Sequence, residues 1–342
     1  MSDPVNRQWL LARRPEGMVS AEDFRLVSTP VPEPAEGEAL VRNLYLSVDP
    51  TQRGWMAVDT YLPKVKLDEV MRSFATGRVV TSRHPSLKPG DLVQGLLGWQ
   101  DYAIVRPGTR SGPTLVPPGV PIETSMSALG LTGITAYFGL LDVGRPKPGE
   151  TVLVSGAAGA TGSIAAQVAK ILGCRAVGIA GGPEKCRYLT EELGLDGAID
   201  YRKDNLPRML RTLCPDGVDV YFDNVGGPIL DVVLLSLALR GRIVLCGGIA
   251  AYNDARPKAG PANYLALVSK RARMEGFIVL DYFPRAAEAI GALSGWLAEG
   301  RLKDRVDVVD GLENAPSALR RVFEGANQGK QLVRIADPAA AA

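Results

Sequence analysis

Residues 151–173, TVLVSGAAGATGSIAAQVAKILG, constrain the fold more than any other stretch of the chain. An apolar run ends at Ser155, glycines spaced by three follow at Gly156, Gly159 and Gly162, and an alanine-rich helical pattern begins. This order suits a buried strand that turns sharply into a helix. Gly159, with the small Ala157, Ala158 and Ala160, lets backbone approach a pyrophosphate, and Gly162 permits close helix–strand packing. The helix start then presents free N–H groups and positive dipole to phosphate. In a strand–turn–helix setting the glycine pattern predicts dinucleotide binding; without that setting it would be a tight turn.

The residues that follow supply the setting. Short apolar runs at 151–156, 175–180, 197–201, 217–225, 241–247 and 274–280 alternate with helical patterns at 162–172, 183–193, 205–214 and 228–237. Near-continuous apolar strands alternating with helices predict an α/β fold with a doubly wound parallel sheet covered on both faces. A helical stretch at 125–141 precedes the sheet, and a helix at 285–299 and a short β segment, LVRI, follow it. The first 124 residues read differently. Period-2 runs at 9–12, 24–27, 39–46, 77–81, 91–97 and 102–105, punctuated by VPEPAEG and KPGD, predict a twisted, barrel-like β domain with short helices. The expected division is 1–124 for the β-rich domain, 125–284 for the dinucleotide-binding domain and 285–342 for a return to the first.

Two positions address which dinucleotide is bound. An NAD site usually carries Asp or Glu at the end of its second strand to accept the ribose hydroxyls. Here that strand ends Ile179-Ala180-Gly181-Gly182, without a carboxylate, and Lys185 opens the next helix, where it can meet a 2′-phosphate. NADP(H) is therefore the expected cofactor, although Glu184 beside Lys185 also fits a solvated helix surface.

Composition removes other classes. A net charge of +2 with no block of like charge gives no reason to expect nucleic acid. No apolar run approaches the roughly 20 residues that span a bilayer. The start, MSDPVNRQW, lacks the regions of a secretory signal, and a cytoplasmic location is the default expectation. Cys174, Cys186, Cys214 and Cys246 never form C-x-x-C, and His84 is the single histidine. A catalytic zinc needs three protein ligands, so no metal is expected.

With NLYLSVDP (43–50), KPGDLV (88–93), LGLTGITAYFGL (129–140), AAGATGS (157–163), YFDNVGG (221–227), LCGGIAAYN (245–253), MEGFIVLDY (274–282) and GANQGK (325–330), the chain resembles the medium-chain dehydrogenase/reductase superfamily. The resemblance is to its zinc-independent prostaglandin reductase, alkenal double-bond reductase and curcumin reductase branch, and it runs from about Trp9 to Ile335. It implies a Rossmann sheet, a GroES-like catalytic domain and a homodimer joined through the cofactor domains. It also implies that Gly159, Ala160, Thr161, Gly162 and Ser163 hold the pyrophosphate, and Lys185 with Tyr201 the adenosine phosphate end. Asn224, Cys246, Gly247, Tyr252, Phe277, Ile278, Val279 and Asn327 would line the rest of the cofactor.

The activity implied is hydride transfer from NADPH to the carbon–carbon double bond of a small apolar α,β-unsaturated ketone or aldehyde. Such a reaction develops enolate charge on the carbonyl oxygen and needs hydrogen-bond donors aimed there within an apolar wall. A phenol remains protonated at neutral pH and can donate. Tyr282 in VLDY is the first candidate, with Tyr45 and Tyr61 in the β-rich domain behind it. After Asp49-Pro50, where many relatives carry an aromatic, this chain reads Thr51-Gln52-Arg53-Gly54-Trp55-Met56, so an eicosanoid substrate does not carry over. Quinone reduction and a catalytically silent NADPH-binding sensor are the competing readings.

Overall fold

A computed structural model describes residues 5–109, 112–254 and 260–338 of the 342-residue chain. In the first domain, β1 (Val5–Leu11) and β2 (Phe24–Pro30) form an antiparallel pair. Then come β3 (Ala39–Ser47), α1 (Thr51–Ala57), β4 (Phe74–Ser82), β5 (Leu92–Leu96), β6 (Tyr102–Val105) and β7 (Thr114–Leu115). Two helices, α2 (Ile122–Met126) and α3 (Leu131–Phe138), lead into the second domain.

That domain reads β8 (Thr151–Ser155), α4 (Ala160–Ile171), β9 (Arg175–Ala180), α5 (Pro183–Arg187), β10 (Gly197–Asp200), α6 (Leu206–Leu213), β11 (Val218–Asp223), α7 (Gly227–Leu235), β12 (Leu237–Leu245), α8 (Ile249–Tyr252), α9 (Ala266–Lys270) and β13 (Arg273–Gly276). The chain returns through α10 (Ala286–Ala298), β14 (Val306–Asp310), α11 (Ala315–Glu324) and β15 (Lys330–Arg334).

The six cofactor-domain strands lie in the order β10-β9-β8-β11-β12-β13, all parallel. Every residue of β8 is buried, because neighbours flank it and helices cover both faces. Chain punctuation sets the helices: Asn205 caps α6 by accepting the Arg208 N–H at 3.0 Å, and Gly325, left-handed at φ 66°, ends α11. Strand order reverses between β8 and β11, and the crevice beyond their carboxyl ends is where α/β sheets bind ligands.

The other sheet runs β14-β15-β3-β4-β5-β7, with β6 on β3. Its central strand β3 is almost wholly buried around a core that includes Leu11, Trp55, Met71, Val93 and Trp99. The C-terminal strand β15 pairs with β3 and so joins the first domain's sheet, whereas α10 packs through Ala289 and Leu293 into the core of the second domain.

Three expectations change. The sixth strand stops at Gly276, and residues 279–285 turn into a 3₁₀ segment holding Pro284, which cannot donate to a ladder. Phe277 therefore lies beyond the edge strand rather than in it. The helical stretch at 125–141 breaks between Met126 and Leu131, where Gly130 and Gly133 sit against backbone of residues 125–128. The return segment holds β14 and α11 as well as the expected helix and final strand. Among the described residues no helix is long and apolar enough to cross a membrane.

Candidate cofactor and substrate site

The glycine turn is closed at Gly162 and open at Gly159. A Cβ on Gly162 would stand 2.3 Å from the Gly156 carbonyl oxygen, so the first turn of α4 lies directly on the turn that precedes it. Gly159, the residue before α4, would meet only that oxygen, at 3.2 Å, and its other side is open. Thr161 is partly exposed on the same turn, and Ser163 is buried with its hydroxyl donating to Ala160 O at 3.3 Å. The result is a backbone cradle at a helix N-terminus, which suits a pyrophosphate.

Asp223, at the end of β11, organises the neighbouring strand ends. One carboxylate oxygen accepts from the Ser155 and Tyr221 hydroxyls and from the Val225 and Gly226 N–H groups, at 2.8–2.9 Å. Asn224 donates from its side chain to Ser155 O at 2.7 Å, and its Cβ faces Gly156. Cys246 and Gly247 donate their N–H groups to Asp223 O. Burial, then the Asp223 charge, pushes the Cys246 thiol up to about 12, so it remains a neutral wall rather than a nucleophile.

From the far side, the C-terminal segment crosses this turn. Gly329 donates to Ala158 O at 3.1 Å and bridges to Gly159, while buried Asn327 donates to Gly329 O at 2.9 Å. Residues 325–330 thus lie against the glycine turn, with Asn327 holding their backbone in place.

Beyond the end of β9, two cations converge without a bonded carboxylate among the described residues. Lys185 Nζ donates to Gly325 O at 2.8 Å, and Arg202 Nη2 donates to Glu324 O at 3.2 Å. Arg202 also lies over the Tyr201 ring, and both crowd the space beside Gly181. Burial, and then the like charge of Arg202, hold the Lys185 ammonium below its ordinary value, with Asp307 and Glu184 opposing. A half-buried lysine beside an arginine gains from an incoming dianion. Arg202 was missed from sequence because it follows the third strand, outside the region where the ribose-binding acid is sought.

At the domain boundary α1 and α8 stand against each other. Gln52, Arg53, Trp55 and Met56 face inward on α1, with Arg53 donating to Gly17 O and Pro15 O. Thr51 turns outward, its hydroxyl 3.1 Å from that of Tyr61, which stands edge-on to Trp55. Across from them, the Tyr252 hydroxyl accepts from Gly248 N–H at 3.2 Å. Burial raises the Tyr252 phenol above its ordinary value, and Cys246 and Tyr61 are close enough to add to that. Tyr61 from the first domain and Tyr252 from the second thus lie on the two sides of the α1–α8 junction.

The other two tyrosines are placed differently. Tyr45 is 2% exposed inside a small core with Leu44, Ile122, Met126 and Leu332, and its hydroxyl donates to Glu123 at 2.6 Å. It is a core residue of the β-rich domain rather than a cleft residue. Tyr282 stacks on Phe138 at 4.7 Å and meets the edge of Phe277, which itself packs against Gly139. Its phenol is raised by burial and then by Asp142 and Glu275, a rim of charged groups instead of an apolar wall. Ile278 and Val279 follow Phe277 out of the sheet, half-buried, with Val279 against the core below α3.

Beneath α1 lies an ion pair that sequence reasoning also missed. Lys330, 1% exposed, donates to Asp49 at 2.6 Å and to Val48 O at 3.1 Å. It links the β15 start to the turn that launches α1.

Among the described residues no group of three His, Cys, Asp or Glu side chains is arranged to hold a metal ion, and the residues present do not fit zinc. Two family models match: N-terminal domain of oxidoreductase over residues 7–111 and Zinc-binding dehydrogenase over residues 160–294. The chain is 42% identical to the NADPH-dependent curcumin reductase of Escherichia coli (strain K12), over 97% of each chain. It is 38% identical to the 2-alkenal reductase (NADP(+)-dependent) of Nicotiana tabacum, over 96% of this chain and 97% of that one. The crystal structure of CurA in complex with NADPH from Vibrio vulnificus superposes with a TM-score of 0.91 at 40% identity, covering 97% of this chain and 100% of that one. With fold, cofactor cradle and full-length similarity in agreement, the chain belongs to the zinc-independent branch of the medium-chain dehydrogenase/reductase superfamily, alongside NADP-dependent curcumin and alkenal reductases.

Proposed function

We propose that this protein is an NADPH-dependent reductase that saturates the carbon–carbon double bond of small apolar α,β-unsaturated ketones and aldehydes without a metal. The observation that carries the cofactor assignment is the convergence of Lys185 and Arg202 with only backbone carbonyls as side-chain partners among the described residues, which suits a 2′-phosphate. The open Gly159 cradle fits the pyrophosphate.

Bound NADPH supplies the hydride. The chain's own part is to fix the cofactor, to exclude water and to manage charge on the substrate. Residues 325–330 and the α1–α8 contact enclose the cleft. Tyr252 and Tyr61 are the phenols we assign to donate toward the carbonyl oxygen as enolate charge develops. Tyr252 has its hydroxyl oriented by Gly248 N–H, and Tyr61 has Thr51 to exchange a proton with. Tyr282 is assigned to packing under the 277–279 segment.

We also infer a homodimer formed along β13. It is the sheet edge, and Leu239, Tyr264, Leu265 and Val268 are exposed on or beside the outer strands and α9. Sedimentation should give twice the chain mass, and a monomer would remove this assignment.

The function is tested by following NADPH oxidation with enones, enals, quinones and simple aldehydes, with products identified. Saturated ketones and aldehydes are expected. Hydroquinone as the sole product would transfer the assignment to quinone reduction, and tight NADPH binding with no turnover would make the protein a sensor.

A further inference from the structure

The amino ends of the sheet strands, opposite the cofactor cradle, carry a feature the reductase reading does not use. A shallow cavity of about 380 Å³, widely open to solvent, is lined by Arg145, Lys147, Arg240, Arg242, Arg271 and Arg273. These residues come from the turn before β8, from β12, and from the end of α9 with the start of β13. Five strand residues at about 3.3 Å each separate this face from the glycine turn by roughly 17 Å.

Three of the six are anchored, Arg145 through its guanidinium donating to Asp142 O at 2.7 Å. Arg242 pairs with Glu150 and donates to Gly144 O and Arg145 O. Arg273 donates to Val143 O and lies 3.5 Å from Glu275. Arg145, Lys147, Arg240 and Arg271 have no ion pair among the described residues, and Asp142 nearby is taken by Arg285. Six cations against two carboxylates leave four charges in excess around one cavity.

The backbone gives a second, independent observation. Only four non-glycine residues among those described have positive φ: Asp68, Arg145, Arg240 and Arg271. Three of the four line this cavity. Arg145 and Arg271 stand at helix C-caps, where glycine is the ordinary left-handed residue. At Arg145 and Arg271 this conformation ends a helix, and it brings three arginines in left-handed backbone to one like-charged rim.

We propose that this cavity binds an oligophosphate, an anion of at least two linked phosphates, independently of the NADPH site. Guanidinium forks bind phosphate oxygens in bidentate fashion, and the anchored Arg242 and Arg273 hold two such forks in place. A single phosphate cannot reach all the unpaired cations around a cavity of this size, whereas a linked chain can. The proposal stands on the basic cavity alone and does not require the enone assignment.

The test is calorimetric titration of the NADPH-saturated protein with inorganic tripolyphosphate, ATP and orthophosphate. One tripolyphosphate per chain is expected, with orthophosphate at least tenfold weaker. ATP binding as tightly as tripolyphosphate means that phosphates are the whole ligand; ATP at least tenfold tighter names a nucleotide as its source. The variant R145G/R271G should lose at least tenfold in tripolyphosphate affinity while its Tm holds or rises, because glycine suits both backbone positions. Lys147→Glu, away from the sheet edge, should weaken binding similarly with KM for NADPH unchanged. Absence of saturable binding, unchanged affinity in these variants, tripolyphosphate displaced by NADPH, or tighter binding of an oligonucleotide would each overturn the proposal.

Discussion

Replacing Lys185 by alanine removes one cation from a site that holds two. In the free protein that ammonium is half-buried, donates to Gly325 O at 2.8 Å and is disfavoured by burial and by Arg202. A hydrogen bond to a charged group contributes about 1.5–3 kcal/mol. At about 1.4 kcal/mol per factor of ten, NADPH affinity should fall roughly 10–150-fold. NADH has no 2′-phosphate, so its affinity should change by less than about threefold, the lost Gly325 contact being offset by relief of the Lys–Arg repulsion. Lys185→Gln separates the two effects, since an amide can keep the carbonyl contact without the charge. The assay is a fluorescence titration of both cofactors against wild type, Lys185→Ala, Lys185→Gln and Arg202→Ala. All three variants should discriminate less between NADPH and NADH. Equal losses for the two cofactors would refute the assignment of this pair to the 2′-phosphate.

Other outcomes follow from the same geometry. Gly162→Val places a β-carbon 2.3 Å from the Gly156 carbonyl, so it should destabilise the fold by about 1–3 kcal/mol and abolish NADPH binding, read by thermal melting and titration. Lys330→Ala leaves Asp49 without its buried partner and should cost about 3–5 kcal/mol, read by denaturant unfolding, with Lys330→Met/Asp49→Asn recovering part of the loss. Tyr252→Phe should lower enone turnover about 100-fold with NADPH affinity retained, while Tyr282→Phe should leave turnover within about twofold; the reverse pattern in steady-state kinetics would exchange their roles. The depressed Lys185 value carries a pH signature. Between that value and 10.5 the unfolded chain binds more protons, so the cofactor-free protein should gain stability as pH rises through the window. Saturating NADPH should flatten that gain in unfolding midpoints, because phosphate restores the lysine's proton.

The sheet and its cradle were legible because they rest on local rules: apolar runs of strand length, and glycines where a Cβ would strike backbone, as at Gly162. Lys185 stood out in the sequence as a candidate by its position in a motif. Its partner Arg202 was not, since the two meet only after β9 and β10 pair and α11 ends at Gly325. The same holds for Lys330 and Asp49, whose contact spans 281 positions, and for Asp223, whose four donors come from two strand ends and a turn. The tyrosines were ranked by motif alone, and tertiary context sets each in a different environment. Tyr45 is consumed by the core through Glu123, Tyr282 by the Phe138 stack, and Tyr252 emerges only because α8 faces α1. The shortened sixth strand reflects Pro284 and the turn that precedes it, which apolar character at 277–280 concealed.

Hydride delivery to an electron-poor double bond is tested most directly with NADPH carrying deuterium at the transferring position, a simple enone, and product analysis with and without a chelator. The account predicts a saturated ketone labelled at the carbon β to the carbonyl, at a rate the chelator does not change. Label on the carbonyl carbon of an allylic alcohol, or a rate lost to chelation, would contradict it.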